Sequence, residues 1–133
     1  MEYFTMRHLT AIATVICSSI LLSACSEAPP VPTKQLPNGT QEISIQVKGG
    51  YHPAIINAKP DKPLILKFFR DEAVGVHSCD QELSIPSQHI SRPLPAQKEE
   101  VITLPPQKSG TEIAFECGMK MMKGKIRYPK VEP

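Results

Sequence analysis

The sequence contains no tryptophan, and three tyrosines and four phenylalanines are its only aromatic residues. It also has no stretch of ten or more residues in which apolar positions recur with a helical period. The 14 prolines among 133 residues further disfavour long helices. The chain is long enough for one ordinary domain, and these absences exclude a helical bundle as its fold.

Signatures of catalysis are missing as well. No Ser/His/Asp arrangement has a recognisable local context, and no glycine-rich loop could hold a phosphate. The adjacent carboxylates at 71–72 and 99–100 are typical of turns or strand edges. The formal net charge is +2, and no basic stripe is interleaved with aromatic residues. The sequence therefore predicts that the protein is not an enzyme and that it does not bind nucleic acid.

The longest apolar run, over residues 9–22, is too short to span a bilayer as a helix and has the character of a signal peptide. It ends in Leu-Ser-Ala-Cys at 22–25, which matches a bacterial lipobox. We therefore predict a lipoprotein signal peptide over 1–24, acylation of Cys25, and a protein that is exported and lipid-anchored to a membrane, facing the periplasm or the cell exterior. An ordinary signal peptide that leaves Cys25 free, or an uncleaved anchor, is the alternative.

A proline-rich segment follows the predicted lipidation site. Residues 26–41 carry four prolines and show no periodicity. Such composition is typical of an extended linker. We therefore predict that residues 25–41 form a lipidated cysteine with its tether, and that residues 42–133 form the folded domain.

Within the predicted domain, apolar and polar residues alternate with a period of two. The alternation is clearest over 43–47, 64–68, 113–117 and 126–128, and glycine- or proline-containing turns separate these segments. Seven or eight short strands at this spacing are typical of an antiparallel two-sheet sandwich. The predicted fold is all-β, a Greek-key β-sandwich of seven to eight strands.

The sulfur-bearing residues of this domain are concentrated in one place. Its methionines are Met119, Met121 and Met122, and all three lie within six residues of Cys117. A second cysteine, Cys79, begins another apparent strand upstream, and two such positions can meet at one end of a Greek-key sandwich. Methionine more often fills gaps in a core, but packing methionines do not cluster in this way.

Thiolate and thioether sulfurs are soft ligands, which select Cu(I) among biologically available metals. Zinc is instead held by cysteine and histidine without methionine. The five sulfur donors therefore predict a copper site for one or two Cu(I) ions. Most of that site lies in a loop between a strand that ends at Cys117 and another that begins near Lys125.

Two other interpretations of these residues stay open. A blue-copper electron-transfer site needs two histidines and a cysteine, and no histidine follows His89 in the sequence. His77 and His52 could approach a metal, although surface or hydrogen-bonding roles are expected for both. In an oxidising compartment Cys79 and Cys117 could instead form a structural disulfide in a protein that binds no metal.

Residues 42–128 resemble the cupredoxin-like domain family, and within it the membrane-anchored Cu(I) chaperones. The resemblance rests on Gly-Tyr-His-Pro-Ala at 50–54, the strand at 64–70 followed by Cys79, Ile-Pro at 85–86, and Phe-Glu-Cys-Gly-Met-Lys-Met-Met-Lys-Gly at 115–124. The last motif is fairly specific, and the others support the alignment. The resemblance implies a cupredoxin-type β-sandwich.

The same resemblance implies roles for the sulfur residues. Cys79 stands where ordinary cupredoxins have their first histidine ligand, and Cys117 matches a cysteine that bridges two cuprous ions. Met122 would complete the tighter site with both cysteines, while Met119 and Met121 would form a weaker outer site with Cys117. The implied partner is a copper-exporting P-type ATPase or another extracytoplasmic copper protein.

Overall fold

The computed structural model describes residues 26–71 and 78–130. The predicted signal peptide 1–24, the lipidation site Cys25 and His77 lie outside the described residues. The strands within them are β1 (Val31–Pro32), β2 (Lys34–Gln35), β3 (Gln41–Val47), β4 (Tyr51–His52), β5 (Ile55–Asn57), β6 (Leu64–Arg70), β7 (Glu82–Ile85), β8 (Ile90–Pro93), β9 (Glu99–Leu104), β10 (Glu112–Cys117) and β11 (Lys123–Arg127). Two short 3₁₀ helices span Ser78–Gln81 and Pro86–Gln88. No helix in this described part is long and apolar enough to cross a membrane.

The strands form two sheets, as the alternating pattern predicted. Sheet A has the order β1-β5-β11-β10-β7-β8, and sheet B has the order β2-β3-β6-β9 with β4 paired to β3. Seven of the described strands have four or more residues, and the others are pieces of two or three residues, too short to show alternation. Three pairings, β1 with β5, β5 with β11 and β3 with β6, are parallel rather than antiparallel. A period of two sets which face a side chain occupies, but it carries no information on strand direction.

The core lies between the two sheets and contains three aromatic rings. The rings of Tyr51, Phe68 and Phe115 meet edge to face, with centroids 4.9 to 6.1 Å apart. Phe68 belongs to sheet B and Phe115 to sheet A, so these rings join the sheets directly. Phe115 and Cys117 are two residues apart on β10 and are both fully buried. The aromatic cluster therefore anchors the strand that carries Cys117.

Residues 26–41, predicted as a tether, are partly built into the sandwich. β1 adds to sheet A beside β5, and β2 adds to sheet B beside β3. Gln41 is fully buried. Its side-chain amide donates to the Lys59 carbonyl at 2.8 Å, and its amide oxygen accepts from the Lys59 N–H at 2.8 Å and the Thr33 hydroxyl at 2.7 Å. The folded part thus begins before Glu42, the boundary that the sequence pattern predicted.

Gly124 in β11 has to be glycine because the ring of Phe115 occupies the space above it. The two residues face each other across the β10–β11 pair. A Cβ atom at Gly124 would collide with the ring and lie 2.9 Å from the Ala54 carbonyl oxygen. We expect Gly124→Ala to lower the free energy of unfolding by about 2 kcal/mol, since overpacking a tight core typically costs 1–3 kcal/mol. Urea unfolding of the oxidised domain measures this change.

The matched control is Gly50→Ala. At Gly50 the nearest atom to an added Cβ is Nε2 of His52 at 3.7 Å, an ordinary van der Waals contact. This control should change the free energy of unfolding by less than about 0.5 kcal/mol. If Gly124→Ala unfolds at the same urea concentration as Gly50→Ala, the ring of Phe115 moves aside and does not impose glycine.

Candidate metal centre

Two neighbouring strands of sheet A bring Cys79 and Cys117 together. Cys117 is the last residue of β10, and Cys79 lies in the 3₁₀ helix that leads into β7. β7 and β10 are antiparallel, with Leu83 opposite Cys117. The beginning of one strand and the end of the other therefore lie at the same end of the sandwich. The two cysteines meet there, as their positions in the sequence predicted.

In the structure the two cysteines form a disulfide, with Cα atoms 5.5 Å apart. Cys117 is fully buried and Cys79 is 7% exposed. This is the alternative that the sequence left open, and a closed disulfide offers no thiolate to a metal. Reduction by two electrons and two protons would restore two thiols at the same place, and loss of their protons gives soft thiolate donors. Ligation by Cys79 and Cys117 stays a prediction for the reduced protein.

Two hydrogen bonds that involve the Met122 backbone hold Met122 beside Cys117. The N–H of Cys117 donates to the Met122 carbonyl oxygen at 3.1 Å, and the N–H of Met122 donates to Sγ of Cys117 at 3.3 Å. The side chain of Met122 is partly buried and packs against the core. Backbone geometry thus holds one thioether-bearing residue next to the cysteine pair.

The other two methionines are on the outer part of the same hairpin. The Lys120 N–H donates to the Cys117 carbonyl at 2.9 Å, which closes a tight turn, and Lys120 has a left-handed φ of 59°. Met119 is 57% exposed and Met121 is 75% exposed. Single exposed apolar side chains are common on protein surfaces, so this exposure shows where the two side chains lie and not what they bind. The hairpin therefore carries thioethers in two environments, one against the core and two at the surface.

An acidic residue adjoins each cysteine of the pair in the chain. Asp80, which follows Cys79, is 4% exposed. Burial raises the pKa of Tyr51 above its ordinary value, and the negative charges of Asp80 and Glu116 raise that pKa further. The Tyr51 hydroxyl, which is buried and has no hydrogen-bond partner within the described ranges, therefore stays protonated. The acidic neighbours of the cysteines thus act on Tyr51 through their charge.

The described histidines lie elsewhere. His52 is exposed in β4 of sheet B, where its Nε2 contacts the Lys48 carbonyl at 3.3 Å. His89 is exposed and ends the second 3₁₀ helix in a left-handed conformation. Among residues 26–71 and 78–130, no three His, Cys, Asp or Glu side chains gather into a group that could hold a metal ion. Within these ranges the structure therefore shows no such ligand group around Cys79 and Cys117, and His77 lies outside them.

The sequence did not predict one cluster of charged side chains. Glu27, in the predicted tether, forms ion pairs with Lys125 and with Arg127, the latter at 2.7 Å. A hydrogen bond from Lys125, and to a smaller extent one from Arg127, lowers the pKa of Glu27. A single acid in a proline-rich segment gives no sequence signal for such a contact. It becomes visible only once β11 places both basic side chains on one face.

Known proteins were compared with this chain. The sequence profile of the cupredoxin-like domain matches residues 12–126. The chain is similar to the metal-binding domain of the Streptococcus pneumoniae D39 Cu(I)-exporting P-type ATPase CopA, solved with Cu(I): 33% identity over 79% of this chain and 100% of that one, with a TM-score of 0.69. It is also similar to a copper-binding protein solved by NMR in its apo form: 32% identity over 77% of this chain and 99% of that one, with a TM-score of 0.67. No curated protein matches.

The profile match extends over most of the chain and over both sheets, and the two similar structures cover the same sandwich almost end to end. The expected fold and family are therefore confirmed, while the narrower resemblance to membrane-anchored Cu(I) chaperones stays a prediction. The chain belongs to the cupredoxin-like domain family.

Proposed function

We propose that this protein is an extracytoplasmic Cu(I)-binding protein, a copper chaperone or buffer without enzymatic activity. Its ligands are Cys79, Cys117, Met119, Met121 and Met122, and acylation of Cys25 anchors it to a membrane. The observation that supports this best is that two cysteines and Met122 meet at one end of the sandwich, beside two exposed methionines. That donor set suits Cu(I) and few other ions.

The two environments of the methionines suggest how copper is passed on. In the reduced protein, the buried thiolates of Cys79 and Cys117 hold Cu(I) with Met122. The exposed thioethers of Met119 and Met121 offer a weaker position at the surface. A partner's ligands can displace them one at a time, so the ion is never released free. The similarity to the metal-binding domain of a copper-exporting ATPase makes such an ATPase, or another extracytoplasmic copper protein, a suitable partner.

A second candidate is a disulfide-stabilised β-sandwich lipoprotein that binds no metal. The closed Cys79–Cys117 bond favours it directly. It leaves the two exposed methionines without a role. A Cu(II) electron carrier would need His77 or His89 at the metal; His89 is exposed at the end of the second 3₁₀ helix, and His77 lies outside the described residues. Intense visible absorption of a copper(II) form would support this candidate.

An anaerobic titration tests the proposal. Cu(I) is added to residues 26–133 in the presence of a chromophoric Cu(I) chelator, once with the protein reduced and once with the disulfide closed. The reduced protein should withdraw one or two equivalents from the chelator, and the oxidised protein should withdraw none at the tight site. Failure of the fully reduced protein to compete would refute the copper function and leave the metal-free sandwich as the better account.

A further inference from the structure

The contacts of Glu27 place the first described residues across the outer face of sheet A. Its carboxylate lies between Lys125 and Arg127 on β11. Arg127 is also paired with Glu112 of the neighbouring strand β10 at 3.3 Å. The two ion pairs with Lys125 and Arg127 hold residue 27 over the C-terminal half of β11. We call this face, at β10 and β11, the clasp face.

Apolar contacts support the same placement. Glu27 and Ala28 line a shallow groove together with Ala54 of the loop before β5, Ala114 of β10 and Gly124 of β11. These small residues leave room for the chain close to the sheet, and charged side chains, among them Lys123 and Lys125, line the rest of the groove. The segment then crosses towards the edge of sheet A, where β1 pairs with β5. The path from residue 27 to β1 is therefore fixed at both ends.

The predicted lipidation site, Cys25, lies very close in the sequence to Glu27, which contacts the clasp face. Cys25 precedes Glu27 by two residues, and two residues of extended chain span at most about 7 Å. The tether between lipid and folded domain is therefore far shorter than the 16 residues that the proline-rich composition suggested. A domain held this closely cannot tumble freely above a membrane.

We propose that the clasp face rests against the lipid surface, so that the sandwich lies on the membrane in one orientation. This inference rests on the proposed lipid anchor at Cys25. The exposed Lys123 begins β11 at the edge of the same face, directly after Met122, and favours contact with anionic headgroups. The methionine hairpin is then held beside the membrane plane, within reach of a partner embedded in the membrane.

Two label positions distinguish this orientation from free tumbling. Ala114→Cys puts a thiol at an exposed position on the clasp face, and Val101→Cys puts one on the outer face of sheet B, where Val101 is 51% exposed. The full lipidated chain is used in its oxidised form, so Cys79 and Cys117 are closed and Cys25 is acylated. Unsubstituted protein, which takes up no label, controls for specificity.

The labelled proteins are placed in vesicles of phosphatidylethanolamine and phosphatidylglycerol that contain a headgroup spin-label quencher. A fluorophore at Ala114→Cys should be quenched severalfold more strongly than one at Val101→Cys. Adding Glu27→Gln should bring the two signals together, because the neutral amide loses its ion pairs, while flotation with the vesicles is unchanged.

Equal quenching at both positions in a chain that floats with the vesicles would overturn the orientation and leave the anchor standing. A chain that does not float lacks the anchor, which overturns the inference at its base. Neither result affects the Cu(I) titration, which uses residues 26–133, so failure of the copper function is distinguished from failure of the orientation.

Discussion

Replacing Cys117 by serine is expected to abolish tight Cu(I) binding. Cys117 contacts two other residues of the proposed site, Cys79 through the disulfide and Met122 through the hydrogen bond that the Met122 N–H donates to its sulfur. Loss of a group that only supports a metal ligand typically costs 10- to 100-fold in affinity, so loss of the ligand itself should cost more than about 100-fold. The measurement is competition with a chromophoric chelator, with every protein fully reduced.

Controls separate a lost ligand from a lost fold. Cys79→Ser should weaken binding similarly, whereas Met121→Leu, at a position that is 75% exposed, should weaken it far less. Because the disulfide is open in all samples, far-ultraviolet circular dichroism and unfolding in reductant compare folds on equal terms. A folded Cys117→Ser protein that binds Cu(I) as tightly as Met121→Leu would remove Cys117 from the site.

The sandwich could be predicted because its longer strands each bury one face. In β3 the buried residues alternate with more exposed ones along its whole length, and β10 behaves in the same way. Alternation of this kind is recorded directly in the sequence. The convergence of Cys79 and Cys117 followed from it, since Cys117 ended one apparent strand and Cys79 began another. The residue content of the hairpin after Cys117 then indicated the metal chemistry.

What could not be predicted depends on contacts between distant segments. β1 and β2 have two residues each, too few for any period, and they exist because β5 and β3 offer free edges. Parallel pairing of β3 with β6 follows from chain topology rather than from residue type. Glu27 meets Lys125 across almost a hundred residues of sequence. A local sequence pattern cannot predict a contact between residues so far apart in the chain.

The proposed function gives one pair of sulfur atoms two exclusive states. With the bond between Cys79 and Cys117 closed, the sandwich is cross-linked and has no thiolate at this pair. In the proposed copper-bound state the bond is open and a cuprous ion joins the same two positions. We therefore propose that copper and the disulfide compete to hold the end of β10 against the helix before β7.

The redox state should accordingly change stability by a large amount. The disulfide joins residues separated by 38 positions. In the chain-entropy model, a cross-link that closes a loop of that length destabilises the unfolded chain by about 4 kcal/mol. We therefore expect the free energy of unfolding of the oxidised domain to be about 3–4 kcal/mol higher than that of the reduced apo domain. Urea unfolding with and without a thiol reductant measures the difference. The double variant Cys79→Ala/Cys117→Ala should show no response to the reductant.

Binding of Cu(I) should restore most of the free energy of unfolding that is lost when the disulfide is reduced. A ligand that binds only the folded state stabilises it by about 4 kcal/mol when its free concentration is a thousand times its dissociation constant. Reduced protein at that free concentration of Cu(I) should therefore unfold near the urea midpoint of the oxidised protein. The urea midpoint of the double variant should rise little on addition of Cu(I). If Cu(I) leaves the reduced midpoint unchanged, the ion does not bind at the cysteine pair. If oxidised and reduced apo protein unfold together, the disulfide is not the cross-link that stabilises this end of the sandwich.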